Sequence, residues 1–134
     1  MSHYAKIKTK LVDQAALLKA LADLGFGEVE VHERPLALRG YKGDLREDTA
    51  HVIIRRRFIG SSSNDIGFLR QSDGTYAAII SEFDQDAAGY DQTWLDQLSQ
   101  RYAYHVAVTQ LTAQGFSLIE EQDENGEIVL TMTR

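Results

Sequence analysis

Three consecutive arginines, Arg55, Arg56 and Arg57, interrupt a stretch whose β-branched Val52, Ile53, Ile54 and Ile59 argue for a strand over Thr49 to Ile59. Side chains alternate across a strand, so Arg56 is expected to face away from Arg55 and Arg57. A buried guanidinium without a carboxylate is costly, so the Arg56 stem must snorkel or an acid must lie close. Glu82, on another predicted strand, is a candidate partner. A structural cross-strand pair is one reading of this cluster; a site for an anionic ligand or protein is the other.

The segment Arg39-Gly40-Tyr41-Lys42-Gly43 superficially resembles a phosphate loop. It lacks the Gly-x-x-x-x-Gly-Lys-Ser/Thr pattern and a glycine-rich turn opening a helix, so its natural reading is a turn exposing Tyr41 between Arg39 and Lys42. An aromatic ring flanked by cations supports stacking or an anion contact. His3, His32, His51 and His105 are far apart and none has a zinc-site spacing, so no metal is expected. Asp84, Asp86 and Asp91 fail the calcium-loop spacing and read as a charged surface link, and Ser61-Ser62-Ser63 lacks the glycine-bounded nucleophile elbow. No catalytic residue and no cofactor is assigned.

The 134 residues suit one domain spanning 1–134. With no cysteine, disulfides, thiolate metal sites and cysteine nucleophiles are excluded. The charged N-terminus lacks the pattern of a secretion signal, and no apolar run approaches the roughly 18 to 20 residues of a membrane span, so no membrane association and a cytoplasmic location are expected. The net charge of −6 hides a division: residues 1–60 carry 11 Lys+Arg against 8 Asp+Glu, and residues 61–134 carry 3 against 12. The acidic total opposes nucleic-acid binding, although Tyr4, Lys6, Lys8, Lys10, Arg39, Tyr41, Lys42 and Arg55 offer basic residues interleaved with aromatics.

The elements that must position these groups follow from periodicity. Residues 3–12 read as a strand wet on one side. Asp13 caps a helix whose stripe is Leu17, Leu18, Leu21 and Leu24, with Val12 and Leu17 as a hydrophobic staple and Gly25 closing it. A short strand at Glu28–Glu33 stops before Pro35; the segment 35–48 reads as a loop, with a short strand around Leu36–Arg39. Ile66–Arg70 and Thr75–Phe83 form a hairpin through Asp73-Gly74, an acidic link follows, and Asp91 caps a second helix reaching about Ala113. The tail is a hairpin turning at Asn125-Gly126, pairing Ile119 with Met132, Glu121 with Leu130 and Asp123 with Ile128, its final strand the more central. The fold class expected is α+β, a mainly antiparallel or mixed sheet with two helices on one face and room for one parallel pair.

The opening Ser2-His3-Tyr4-Ala5-Lys6-Ile7-Lys8-Thr9, the helix segment Leu17 to Gly25, Arg39-Gly40-Tyr41, Ser72-Asp73-Gly74 and Arg101-Tyr102-Ala103 together resemble the hypothetical chloroplast reading frame 35 family, domain of unknown function 1257. Tyr4 replaces the usual Phe of that family, and Gly67-Phe68 stands where Gly-Trp is frequent. The resemblance implies a cyanobacterial or plastid-type accessory protein of the cytoplasm or stroma; the family has no agreed activity, so it carries no functional role over to any residue.

The function expected is therefore a non-enzymatic accessory or interaction module for an unknown protein partner, using the basic segment from Arg39 to Arg57. Residues proposed for the site are His3, Arg39, Tyr41, Lys42, His51, Arg55 and Arg57. The alternative is a small-ligand-binding protein or enzyme in which His3, Tyr41, His51 and Arg55 converge at strand ends. Surplus apolar residues, Phe116, Leu118 and Ile119 with Trp94 and Tyr104, favour a symmetric homodimer over a monomer in which the 35–48 loop covers them.

Overall fold

The computed structural model describes residues 2–124 and 127–134. Its elements run β1 (Tyr4–Lys8), α1 (Gln14–Asp23), β2 (Glu30–Arg39), β3 (Leu45–Ile54), a 3-10 turn (Arg56–Phe58), β4 (Ile66–Arg70), β5 (Tyr76–Ser81), α2 (Glu82–Asp86), α3 (Gln92–Ala113), β6 (Ser117–Glu124) and β7 (Glu127–Thr133). The fold is α+β. One sheet has the order β1-β5-β4-β3-β2 and the other pairs β6 with β7. Among the described residues every pairing is antiparallel, and the parallel pair that the opening β-α-β permits does not form.

Alternation divides the larger sheet into two faces. Ile66 and Phe68 of β4 and Tyr76, Ala78 and Ile80 of β5 join Leu17, Leu21, Trp94, Leu95 and Leu98 of the helices in one core. Full burial of each large side chain contributes roughly 1.5–3 kcal/mol. The intervening Ala77 and Ile79 face the opposite side, where they pack with Ile53, Ala50 and Leu38. No helix among the described residues covers that second face. The β2–β3 hairpin does, by curling over it.

That curl corrects the reading of 35–48 as a loop. Pro35 lacks an N–H, and β2 accommodates it by slipping register rather than ending: Val31 pairs with Val52, but Leu36 pairs with Ala50. The arm beyond the slip lays Leu38, wholly buried, onto the second face. Gly67 lies beneath it. A Cβ there would stand 2.4 Å from the Ala50 Cβ and 3.1 Å from Leu38 Cδ2, so the arm can close only over a glycine.

Asp13 caps α1 by accepting from Ala16 N at 3.0 Å, and Asp91 caps α3 by accepting from Trp94 N at 3.2 Å, as the sequence predicts. Val12, expected to staple onto Leu17, is 52% exposed, whereas Leu17 is wholly buried. The Tyr102 hydroxyl instead accepts from Val12 N and Asp13 N at 3.0 and 2.8 Å, fastening the α1 entrance to α3. The link after β5 is not open chain. Ser81 Oγ accepts from Asp84 N, starting the short helix α2.

The tail keeps the expected Glu121–Leu130 and Asp123–Ile128 pairs, but Met132 opposes Leu118 rather than Ile119 because the register shifts between Leu118 and Glu120. The expected Asn125-Gly126 turn lies outside the described residues. This hairpin is a sheet of its own, so β7 is not a central strand. Arg101 of α3 ties it to the body, donating to Asp23 Oδ2 at 2.8 Å and Glu121 Oε1 at 3.0 Å. No helix among the described residues is long and apolar enough to cross a membrane.

Candidate functional site: an arginine cluster organised by Asp65

The strand ends at Ile54, one residue before the arginines, and Arg56–Phe58 turn as a 3-10 helix. Strand alternation therefore no longer governs where they point. Arg55, not Arg56, takes the acids. Its Nε and Nη2 donate to the two Glu30 oxygens at 2.6 and 2.9 Å, and its Nη1 donates to Asp65 Oδ2 at 2.8 Å. The fork geometry of guanidinium suits this double engagement. These bonds, with the Glu30 contact foremost, push the Arg55 pKa further up, so its charge is permanent. Glu30 is held at about 2 by the same contact, against the upward push of partial burial and with help from His32.

The pairing of Arg56 with Glu82 considered from the sequence is not formed. Arg56 donates from Nε to Ser63 O at 3.0 Å and from Nη2 to Ser61 O at 2.6 Å, pinning the 61–65 loop to the 3-10 turn. Two backbone carbonyls satisfy the charge instead of an acid.

Asp65, wholly buried, organises the surroundings. Besides Arg55 it accepts from Arg39 N and Arg56 N, both at 2.7 Å, while Asp65 N donates back to Arg39 O at 2.9 Å. Asn64 continues the connection: its Oδ1 accepts from Tyr41 N at 2.9 Å, and its Nδ2 donates to Ser81 Oγ at 2.9 Å and Asp84 Oδ2 at 3.2 Å. Thus two adjacent buried polar residues position the Arg39-Gly40-Tyr41 backbone. Gly43, at φ +79°, completes the turn, and its carbonyl receives Arg39 Nη1 at 2.7 Å.

The outcome is an open cleft of about 440 Å³ walled by Arg39, Arg55, Arg56 and Arg57, with Glu30, Gly43 and Asp65 completing it. Arg57 and Arg39 are exposed. Among the described residues Arg57 forms no ion pair and only overlies the Phe58 ring, 4.6 Å from its centre. Lys42 is exposed beside Tyr41, its Nζ 5.5 Å from the ring centre.

The seven residues proposed from sequence separate into groups. Arg39, Arg55 and Arg57 share the cleft. Tyr41 lines a neighbouring recess with Ser2, Ser62, Asn64 and Phe83, and Lys42 stands at its side. His3 is exposed next to Ser2 and lines neither space, its carbonyl accepting from Glu82 N at 2.8 Å. His51 is apart, its Nδ1 accepting from Arg70 N at 3.0 Å at the other end of β4; burial, with Arg70 near, pushes its pKa down. The structure does not bring His3, Tyr41, His51 and Arg55 into one pocket.

Glu30, Asn64, Asp65 and Phe83 were absent from the sequence-derived set. The legible signal for Asp65 is its place after the Ser61–Asn64 turn, immediately ahead of Ile66, where an acid enters the core with a strand. Among the described residues no three His, Asp or Glu side chains come together as metal ligands would.

The proteins similar to this chain cover its full length. It is 29% identical over 136 residues to "Uncharacterized protein ycf35" of Cyanophora paradoxa, 30% over 140 residues to that of Guillardia theta, and 27% over 140 residues to that of Pyropia yezoensis. Each match spans 100% of this chain and 98% of the relative. No solved structure matches it significantly. The family described as "Protein of unknown function (DUF1257)" matches residues 20–131, which include the Asp65-centred cleft, and the chain belongs to that family.

Proposed function

We propose that the protein is a non-enzymatic cytoplasmic or stromal accessory module that docks an acidic segment of a protein partner on its arginine cleft. The observation carrying this reading is the division of labour among the arginines. Arg55 and Arg56 are consumed in holding the loops, whereas Arg57 and Lys42 stand exposed without an acid and Arg39 spends one nitrogen on a carbonyl. In a chain of net charge −6, such a fixed cationic rim steers and orients an anionic partner. The buried Asp65 and Asn64 contacts pre-order the rim, reducing the entropy lost on binding.

Affinity capture from native lysate tests this with three proteins: wild type, the charge reversal Arg39→Glu with Lys42→Glu and Arg57→Glu, and a control reversal at exposed Lys19. A partner retained by wild type and control, and lost by the cleft variant, is expected. Equal recovery by all three would remove the cleft from the account.

A further inference from the structure

The recess beside the arginine cleft has different chemistry. Tyr41 and Phe83 are 40% and 39% exposed, large aromatic area to leave wet. They line a space of about 290 Å³ whose other walls are Ser2, Ser62 and Asn64. Neither ring is loosely held at its backbone. Phe83 N donates to Ser2 Oγ at 2.8 Å, and Tyr41 N donates to Asn64 Oδ1 at 2.9 Å. Arg46 donates to Ser2 O at 2.7 Å, seating the N-terminal wall.

The recess and the cleft share a partition. Tyr41 lines one and Gly43 the other; Asn64 lines one and Asp65 the other; Ser62 faces the recess while Arg56, bonded to Ser61 and Ser63, faces the cleft. The two spaces therefore lie on either side of a ridge built from residues 40–43 and 61–65. An occupant of both must cross that ridge. The recess is at the lower edge of the roughly 300–1,000 Å³ of small-molecule sites, so it suits one ring rather than a whole cofactor.

We infer that the partner segment is acidic and carries an aromatic side chain, which enters the Tyr41–Phe83 recess while neighbouring carboxylates reach Arg39 and Arg57. This rests on the docking role proposed for the cleft and specifies its ligand. Aromatic rings against Tyr and Phe contribute packing beyond their buried area, and such anchors dominate interface energetics. The same rings would stack a nucleic-acid base, but phosphate contacts carry affinity for a polyanion. The exposed cations here are few and Glu30 and Asp65 stand among them, within a net charge of −6. Charge complementarity thus favours a short acidic peptide.

Fluorescence anisotropy with two labelled synthetic peptides tests this on the full chain. One is a short run of aspartates and glutamates with a central phenylalanine; the other has alanine at that place. The phenylalanine peptide is expected to bind about ten-fold more tightly, and Phe83→Ala or Tyr41→Ala to abolish that difference. Arg57→Glu should weaken both peptides. Equal affinity of the two peptides, with Arg57→Glu still weakening them, would overturn the aromatic anchor and leave the acidic docking role intact. Binding of neither peptide, or of both without dependence on Arg57, would overturn both. Displacement of the peptide by a mixed-sequence single-stranded oligonucleotide at lower concentration than unlabelled peptide would assign the site to nucleic acid instead. Melting temperatures of Phe83→Ala and Tyr41→Ala serve as the folding control; if either falls sharply, Phe83→Leu and Tyr41→Leu, which keep apolar bulk without a ring to stack, are expected to reduce the ten-fold difference, and their failure to do so would count against the anchor.

Discussion

Arg55 and Asp65 are joined by a 2.8 Å ion pair in which the carboxylate is wholly buried and the guanidinium side chain is 20% exposed. The same carboxylate accepts from Arg39 N and Arg56 N, so one side chain fixes the end of β2, the start of the 3-10 turn and the arginine between them. Replacing Asp65 with Ala leaves one partly buried charge less compensated and two N–H groups unpaired. We expect Asp65→Ala to destabilise the protein by about 3–5 kcal/mol in urea unfolding. A loss below about 1 kcal/mol would show that Glu30 alone holds the cluster.

Glu30 gives this region a defined pH dependence. Its pKa is lowered from 4.5 to about 2 on folding, so its contribution is complete above pH 4.5 and is lost as pH falls from 4.5 towards 2. The Glu30 side chain is 39% exposed, and salt should weaken the effect. In acid titrations of unfolding free energy, Glu30→Gln is expected to flatten the slope within that window and nowhere above it. An unchanged slope would contradict the assignment.

Gly67 should be intolerant of even one methyl group. The Ala50 Cβ at 2.4 Å and the Leu38 side chain at 3.1 Å leave no room, and we expect Gly67→Ala to cost about 1–3 kcal/mol by overpacking. Pairing it with Ala50→Gly should recover part of that loss. Additive effects in the double variant would mean that the β2–β3 arm does not seat on the second face.

The β6–β7 sheet leaves Leu118, Ile119 and Val129 at 41%, 63% and 41% exposure. Both of its strands are edges, and unpaired edges invite association. We expect light scattering during size-exclusion chromatography to give a mass above 15.1 kDa at high concentration, falling on dilution, and Ile119→Lys to lower it. A constant 15.1 kDa would establish a monomer.

Local signals in the sequence make much of this fold readable. Asp13 and Asp91 cap as their side chains dictate, and β4 runs from Ile66 to Arg70 as its pattern predicts. Residues 35–48 misled because a Pro, two glycines and mixed charge describe a loop equally well as an edge arm that slips register, and the decision rests on the distant Gly67. The arginine cluster was visible, but its acids were not. Glu30 and Asp65 lie 25 and 10 residues from Arg55, and the pairing of β2 and β4 on either side of β3, Glu30 opposite Ile53 and Ile66 opposite Ile54, brings them together. Phe83 and Tyr41 likewise meet at one recess through Asn64, whose hydrogen bonds cannot be read from spacing.

We propose that anions dock on the Arg39–Arg57 cleft and not on another basic area, such as Lys6 and Lys8 beside the 71–75 turn. Backbone amide chemical shifts of the isotopically labelled chain, followed during titration with a short polyglutamate peptide, locate the docking surface directly. Saturable shifts centred on Arg39, Lys42, Arg56 and Arg57, and their loss in Arg57→Glu, are the predicted result. Shifts centred on Lys6 and Lys8, or none that saturate, would contradict it.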